Sequence, residues 1–303
     1  MKKIRIIAAA LAVLCIGFSA VSCDNGTVNP STAPSTGETP ETSVSTQTPV
    51  SPATGDVSDA SAVITLDGDN TTVKGEGAEY KDGTVSITKG GVYTLSGKLI
   101  GGQVYVNVEK PAEVELVLNG VEITSNKSSA IYVACAEKVK INVKEGTTNT
   151  LKDTSSYQFE EGQDEPNACI FSADDMTIKG KGTLNVTGNY KNGISSKNDI
   201  KIKDVNLTVN AYNTGIRGKD SVEIESGNIK VEAGNDGIKS SNDKEVGRGY
   251  ILVSGGNISI TADDDGLQAE TDITVKDCSV TINANGKKLN CAGTLNVEES
   301  CIK

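Results

Sequence analysis

The stretch "TGIRGKDSVEIESGNIKVEAGN", from Thr214 to Asn235, is followed at once by "DGIKSSND", from Asp236 to Asp243, which begins the same phrase again. "NGISSKND" from Asn192 precedes both, and "DDDGLQAETD" from Asp263 comes after them. Set in rows beginning at Asn192, Thr214, Asp236 and Asp265, the apolar residues fall into columns. Ile194, Ile216, Ile238 and Leu267 form one; Ile200, Val222, Ile251 and Ile273 a second; Ile202, Ile224, Val253 and Val275 a third. Leu207, Ile229, Ile258 and Val280, then Val209, Val231, Ile260 and Ile282, complete the set. Along each row these residues alternate with polar ones, the mark of a strand with one buried face, and Gly, Asn and Asp punctuate the alternations.

A repeat of about 22 residues with several short strands buries its apolar face only by stacking on its neighbours, which argues for a solenoid rather than a sandwich. Stacking in register turns each column into a parallel ladder with rungs about 4.8 Å apart. The expected fold is therefore all-β, a single right-handed parallel β-helix, its hand following the preference of parallel crossovers. The rows extend backward through "ACIFSADDMTIKGKGTLNV" and "SAIYVACAEKVKINV" to "GTVSITKGGVYTLSG". Forward, Leu289, Leu295, Val297 and Ile302 continue the columns to Lys303. No polar cap is visible there, so the expectation is an open edge that frays or associates end to end with a partner chain.

The first 22 residues carry basic residues, an apolar run and then small residues, the pattern of an export signal. "SAVSC" resembles a bacterial lipobox, which makes Cys23 the expected lipid-bearing residue, anchored to the cell membrane in the sense of a lipid chain rather than a span. Residues 23–60 are rich in Ser, Thr, Pro and Gly and cannot bury enough surface to order themselves, so they read as a disordered linker. Residues 61–303 are left as the folded domain, outside the cytoplasm. A formal net charge of −11 disfavours nucleic acid, and the absence of His removes His-based triads and imidazole zinc sites. Cys135, Cys169, Cys278, Cys291 and Cys301 show no metal or disulfide spacing, so most read as small buried hydrophobes.

Stacking aligns polar residues too. Asn192, Thr214, Asp236 and Asp265 share one column, preceded by Asn235 and Asp264, while Asp175, Asp199, Asp243 and Asp272 are expected in another. Carboxylates one rung apart repel by about 3 kcal/mol at an effective dielectric near 20. Solvation of an acidic face relieves much of that cost. The alternative is calcium (Ca2+), which takes six to eight oxygens in flexible geometry and suits carboxylates and carbonyls at glycine turns. Asn235, Asp236, Asp243, Asp264, Asp265 and Asp272 are the candidate ligands. Arg217 and Lys239 follow the buried Ile of adjacent rows, placed either to hold the carboxylates of an acidic sugar or to balance nearby Asp charge. Tyr190 and Tyr212 are expected on adjacent rungs, as a sugar-stacking pair or a simple aromatic ladder.

The phrases "DGIKSSND" and "GRGYILVSGGNISITADDDGLQAETDITV", preceded by "TGIRGKDSVEIESGNIKVEAGN", resemble the bacterial carbohydrate-binding domain-containing proteins. "GGVYTLSGKLIGGQVYVNV", "VELVLNGVEI" and "SAIYV" match the amino-terminal part of the same family. The resemblance implies a secreted, calcium-binding β-helix similar in fold to polysaccharide lyase family nine. It also implies non-catalytic binding of plant cell-wall polysaccharide, cellulose and pectic polygalacturonate. Metal ligation carries over to Asp236, Asp264, Asp265 and Asp272. Two other readings stand beside it: a calcium-dependent lyase on uronic-acid polymers, with Lys239 or Arg217 as base, and a structural surface adhesin.

Overall fold

The structure, a computed structural model, describes residues 60–159 and 161–303. The expected export signal, Cys23 and the linker to residue 60 lie outside the described residues, Ala60 apart. Within them the chain is all-β, with one short 3-10 turn at Glu299–Cys301. A ten-stranded sheet and a seventeen-stranded sheet carry the fold, and apart from two antiparallel hairpins near the start every ladder is parallel. This is the arrangement expected of a β-helix or related solenoid.

All five apolar columns appear as strand registers. Ile194 pairs with Ile216, Ile216 with Ile238, Ile238 with Leu267 and Leu267 with Leu289. Ile200, Val222, Ile251 and Ile273 follow one another in the next ladder, as do Ile202, Ile224, Val253 and Val275. Leu207, Ile229, Ile258 and Val280 run parallel to Val209, Val231, Ile260 and Ile282 in a third. The last two sets of ladders belong to one sheet because the long strands Gly91–Ile100 and Glu113–Thr124 pair into both. Every residue of the five columns up to Ile273, Val275, Val280 and Ile282 is buried, which supplies the continuous core that no single repeat could form. The column weakens at the far end, where Leu295 is half exposed.

The repeated "DG" has a packing reason. A Cβ at Gly237 would lie 2.4 Å from Ile260 Cγ2, and one at Gly266 2.4 Å from Ile282 Cγ2. Glycine therefore lets the strand start close against the core residue beneath it, while the preceding Asp remains beside the turn.

Two insertions interrupt the regular rows. Residues 153–167 lie between strands Thr148–Lys152 and Ala168–Ser172, and residues 241–249 between Ile238–Ser240 and Tyr250–Val253. The second corrects an alignment. Ser221 pairs with Tyr250, and the neighbouring Ile251 pairs with Ile273, so Tyr250 rather than Asp243 stands between Ser221 and Asp272. Asp243 is exposed on the inserted loop. The cysteine reading holds for Cys169 and Cys301, which are buried. Cys301 Sγ accepts from the Cys278 backbone N–H at 3.2 Å, so these two stand together.

Candidate cation and carbohydrate site

Three of the expected ligands converge. Carboxylate oxygens of Asp236, Asp264 and Asp265 all lie within 4.8 Å of one another. The fold brings them there because Asp236 and Asp265 open successive rows at the same glycine turn: Gly237 N–H donates to the Asp265 carbonyl at 2.8 Å. Asp236 and Asp265 are only 2% and 7% exposed, whereas Asp264 faces solvent. Asp236 Oδ2 accepts from Lys239 Nζ at 2.8 Å and from Asn235 Nδ2 at 3.2 Å. Asp265 Oδ1 accepts from the Lys287 N–H at 2.8 Å, and its Oδ2 from Asn290 Nδ2 at 2.6 Å.

This ladder of side-chain oxygens onto the next row's backbone begins in an earlier row. Asn192 Oδ1 takes the Thr214 N–H at 3.3 Å in the same way, with no charge. Replacing Asn192 by Asp236 and Asp265, and adding Asp264, turns a neutral turn cap into a concentration of negative charge. Lys239 offsets one carboxylate of the three.

The donor set fits a hard divalent cation. All charged donors are oxygens, and a separation of 4.8 Å is about twice a calcium–oxygen distance of 2.3–2.6 Å, so one ion can reach all three. Room for it is left by Gly286. A Cβ there would stand 2.7 Å from Asp265 Oδ1, 2.8 Å from Asp264 Oδ1 and 2.9 Å from the Asp264 carbonyl oxygen. A neutral oxygen lies close in the register as well: Gln268 Oε1 is buried and has no hydrogen-bond partner, one rung from Lys239 and one from Asn290. Gly286 and Gln268 were not legible as site residues, because neither carries charge and only the stacking sets them beside the Asp cluster.

Asn235 stands beside the three through its bond to Asp236, but Asp272 and Asp243 do not join them. Asp272 Oδ1 accepts the Thr294 N–H at 2.7 Å, capping the turn of the next row. Asp243 is on the inserted loop, whose Asn242 donates to Asp220 Oδ1 at 2.7 Å. That loop neutralises the second acidic column. Arg248 Nη1 lies 3.2 and 2.9 Å from the two carboxylate oxygens of Asp199, and Arg248 Nε lies 3.9 Å from Asp220 Oδ2. Ser221 Oγ donates to Asp199 Oδ1 at 2.7 Å. Burial, offset by an N–H from Asp199, pushes the Asp175 carboxyl above its ordinary value. Arg248 thus does at one column what a cation would do at the other.

Arg217 and Lys239 occupy adjacent positions of one outward row, Ser195–Arg217–Lys239–Gln268–Asn290. Arg217 Nη2 donates to Ser241 Oγ at 3.1 Å. The tyrosine pairing is corrected. Gly188 pairs with Ala211, which sets Tyr212 opposite Asn189 rather than Tyr190. Tyr190 instead stacks on Tyr157, centroids 4.3 Å apart, with Lys191 Nζ 5.1 Å from its ring, and Tyr212 is 75% exposed. The extra residue in the turn after Gly188 breaks the register that the apolar columns keep.

The sequence matches a known class of protein. A family profile described as carbohydrate-binding domain-containing protein matches residues 81–301. The chain belongs to that family. A relative from Acetivibrio thermocellus (strain ATCC 27405), described in the same words, is 46% identical over 164 residues, 54% of this chain and 57% of that protein. The chain thus spans a little over half of that relative's length. A solved structure of a polysaccharide lyase-like protein from C. thermocellum, a gadolinium derivative, superposes with a TM-score of 0.78. It is 44% identical and covers 80% of this chain and 98% of its own.

Proposed function

We propose that this chain is a non-catalytic, calcium-dependent binder of plant cell-wall polysaccharide, pectic polygalacturonate or cellulose, held outside the cell by a lipid on Cys23. The scaffold in this reading is a right-handed β-helix with about 22 residues per coil. The observation that carries it is the meeting of Asp236, Asp264 and Asp265 under the space left at Gly286, with Lys239 as their ammonium partner. A gadolinium derivative of a relative accords with it, since gadolinium is also a hard cation that takes oxygen ligands.

Asp236, Asp264 and Asp265 would hold the ion, with Gln268 Oε1 as a neutral candidate. Calcium bound there supplies the positive charge that a chain of net −11 otherwise lacks toward an acidic glycan. Arg217 and Lys239, side by side on the same face, would orient the sugar carboxylates. The lyase name of the solved relative raises the catalytic alternative. A lyase needs a base that can take the proton next to a carboxylate. Lys239 donates to a buried carboxylate at 2.8 Å and Arg217 is a guanidinium, so neither presents a free lone pair. The test is polygalacturonate binding with calcium and with excess chelator, while ultraviolet absorbance is followed for unsaturated ends. Binding that needs calcium and yields no absorbance supports the proposal; new absorbance replaces it with the lyase.

A further inference from the structure

The outward row that holds Arg217 and Lys239 has a different character at its amino-terminal end. Tyr105 pairs with Tyr132, Tyr132 with Phe171, and Phe171 with Ser195, so three aromatic rings precede the polar part of the same row. The rings meet edge to face, with centroids 5.2 Å and 5.7 Å apart and interplanar angles of 67° and 68°. Phe171 is buried beneath, while Tyr105 and Tyr132 are half-buried and border a cavity of about 350 Å³. That volume lies within the range of small-ligand pockets, about 300–1,000 Å³.

The opposite wall is the inserted segment, through Gln158, Phe159 and Pro166. It is fastened at Tyr157. Tyr157 Oη donates to Asp153 Oδ2 at 2.6 Å and lies 2.9 Å from the Ala168 carbonyl, and its ring stacks on Tyr190. These contacts hold the residue next to Gln158 and Phe159 in place. In the cavity, Gln103 Oε1 is buried without a hydrogen-bond partner, and Gln103 lies two residues before Tyr105 on the same outward face. An acceptor withdrawn from water and left unpaired is unfavourable until a donor reaches it.

We propose that this cavity is a second saccharide site, one that takes an uncharged pyranose residue and needs no cation. The proposal rests on the carbohydrate-binding reading of the chain and places its ligand away from the Asp cluster. A pyranose ring offers an apolar C–H face to Tyr105 and Tyr132, and hydroxyl groups at its rim that can donate to Gln103 Oε1. A carboxylate placed at that oxygen would set acceptor against acceptor, whereas a hydroxyl there satisfies it. The lining itself carries one lysine, Lys127, and one glutamate, Glu165, so its own charges sum to zero and do not call for an acid. Lys239 lies five rungs along the row from Tyr105, about 24 Å at 4.8 Å per rung. The two sites can therefore be tested separately.

The experiment is titration of the purified protein with cellohexaose in excess chelator, read by calorimetry and by tyrosine emission, which no Trp obscures. The expected result is saturable binding that Tyr132→Ala weakens at least tenfold and Gln103→Leu several-fold. Tyr132→Phe keeps the ring and should stay within about threefold of the natural protein, which separates loss of the site from loss of the fold. Asp264→Asn should leave this binding unchanged. No cellohexaose binding in chelator, or binding that survives Tyr132→Ala, overturns the proposal. Calcium-dependent polygalacturonate binding measured alongside keeps the two readings apart: if it persists while cellohexaose fails, only the second site falls. If cellohexaose binds at Tyr132 and polygalacturonate binds nowhere, the second site stands and the acidic ligand is removed.

Discussion

Changing Asp264 to Asn should move stability in opposite directions with and without calcium. The oxygens of Asp236, Asp264 and Asp265 lie within 4.8 Å of one another. At an effective dielectric near 20, one such pair repels by about 3 kcal/mol. Asp264 faces solvent, and screening reduces what it contributes to roughly 1 kcal/mol. Its backbone, not its side chain, holds the turn: the N–H donates to the Asn235 carbonyl at 3.1 Å and the carbonyl accepts from Gly286 at 2.8 Å. In chelator the variant should therefore melt about 2–4 °C above the natural protein, at the scale expected for a domain of this size. In calcium at a hundred times its dissociation constant, the natural protein should gain about 2.7 kcal/mol, roughly 5–10 °C. The variant, with one charged ligand fewer, should gain at most half of that. The assay is thermal melting followed by circular dichroism in both buffers. A variant that melts below the natural protein in chelator would show that Asp264 supports the fold directly. Equal calcium shifts in both proteins would refute the ligand assignment, and no shift in either would leave a solvated acidic face.

Four other outcomes follow from named contacts. Gly286→Ala should abolish the calcium shift and also lower the chelator melt, because the added Cβ would sit 2.7 Å from Asp265 Oδ1 and 2.9 Å from the Asp264 carbonyl oxygen; calcium titration followed by melting checks it. Lys239→Ala should cost on the order of 3 kcal/mol in chelator by leaving the 2%-exposed Asp236 without its ammonium, and calcium should restore most of that, measured by urea unfolding in both buffers. Cys278, whose thiol is pushed up by burial and by the adjacent Cys301, should be little ionised at pH 8 and resist iodoacetamide in the folded protein; rapid labelling seen by mass spectrometry would contradict this. Burial raises the Asp153 carboxyl above its ordinary 3.8, so the folded protein binds that proton more tightly than the unfolded chain. The natural protein should then lose stability relative to Asp153→Asn as pH rises from about 4 through the raised value, and a difference that stays flat with pH in paired urea melts would refute the assignment.

The columns of Ile, Val and Leu were fully legible because a buried ladder tolerates neither a missing apolar residue nor a shift of one position, which would turn every side chain to the wrong face. Turns carry no such constraint. One extra residue after Gly188 separates Tyr190 from Tyr212, and the loop inserted after Ser240 replaces Asp243 by Tyr250 in its column. The Asp cluster was legible where it shares the strand register, at Asp236 and Asp265, and at Asp264 beside them. Gly286, Gln268 and the cavity at Tyr105 and Tyr132 were not, because each depends on residues from rows that differ in length. Arg248 was equally hidden: its charge reads as surface until the loop is seen to fold onto Asp199.

Isothermal titration of the protein with polygalacturonate, in calcium and again in excess chelator, tests the central claim most directly. The account predicts saturable heat in calcium, none in chelator, and a loss of at least tenfold in affinity for Asp265→Asn in calcium. Heat undiminished by chelator, or untouched by Asp265→Asn, would contradict it and remove the ion from between the Asp cluster and the sugar.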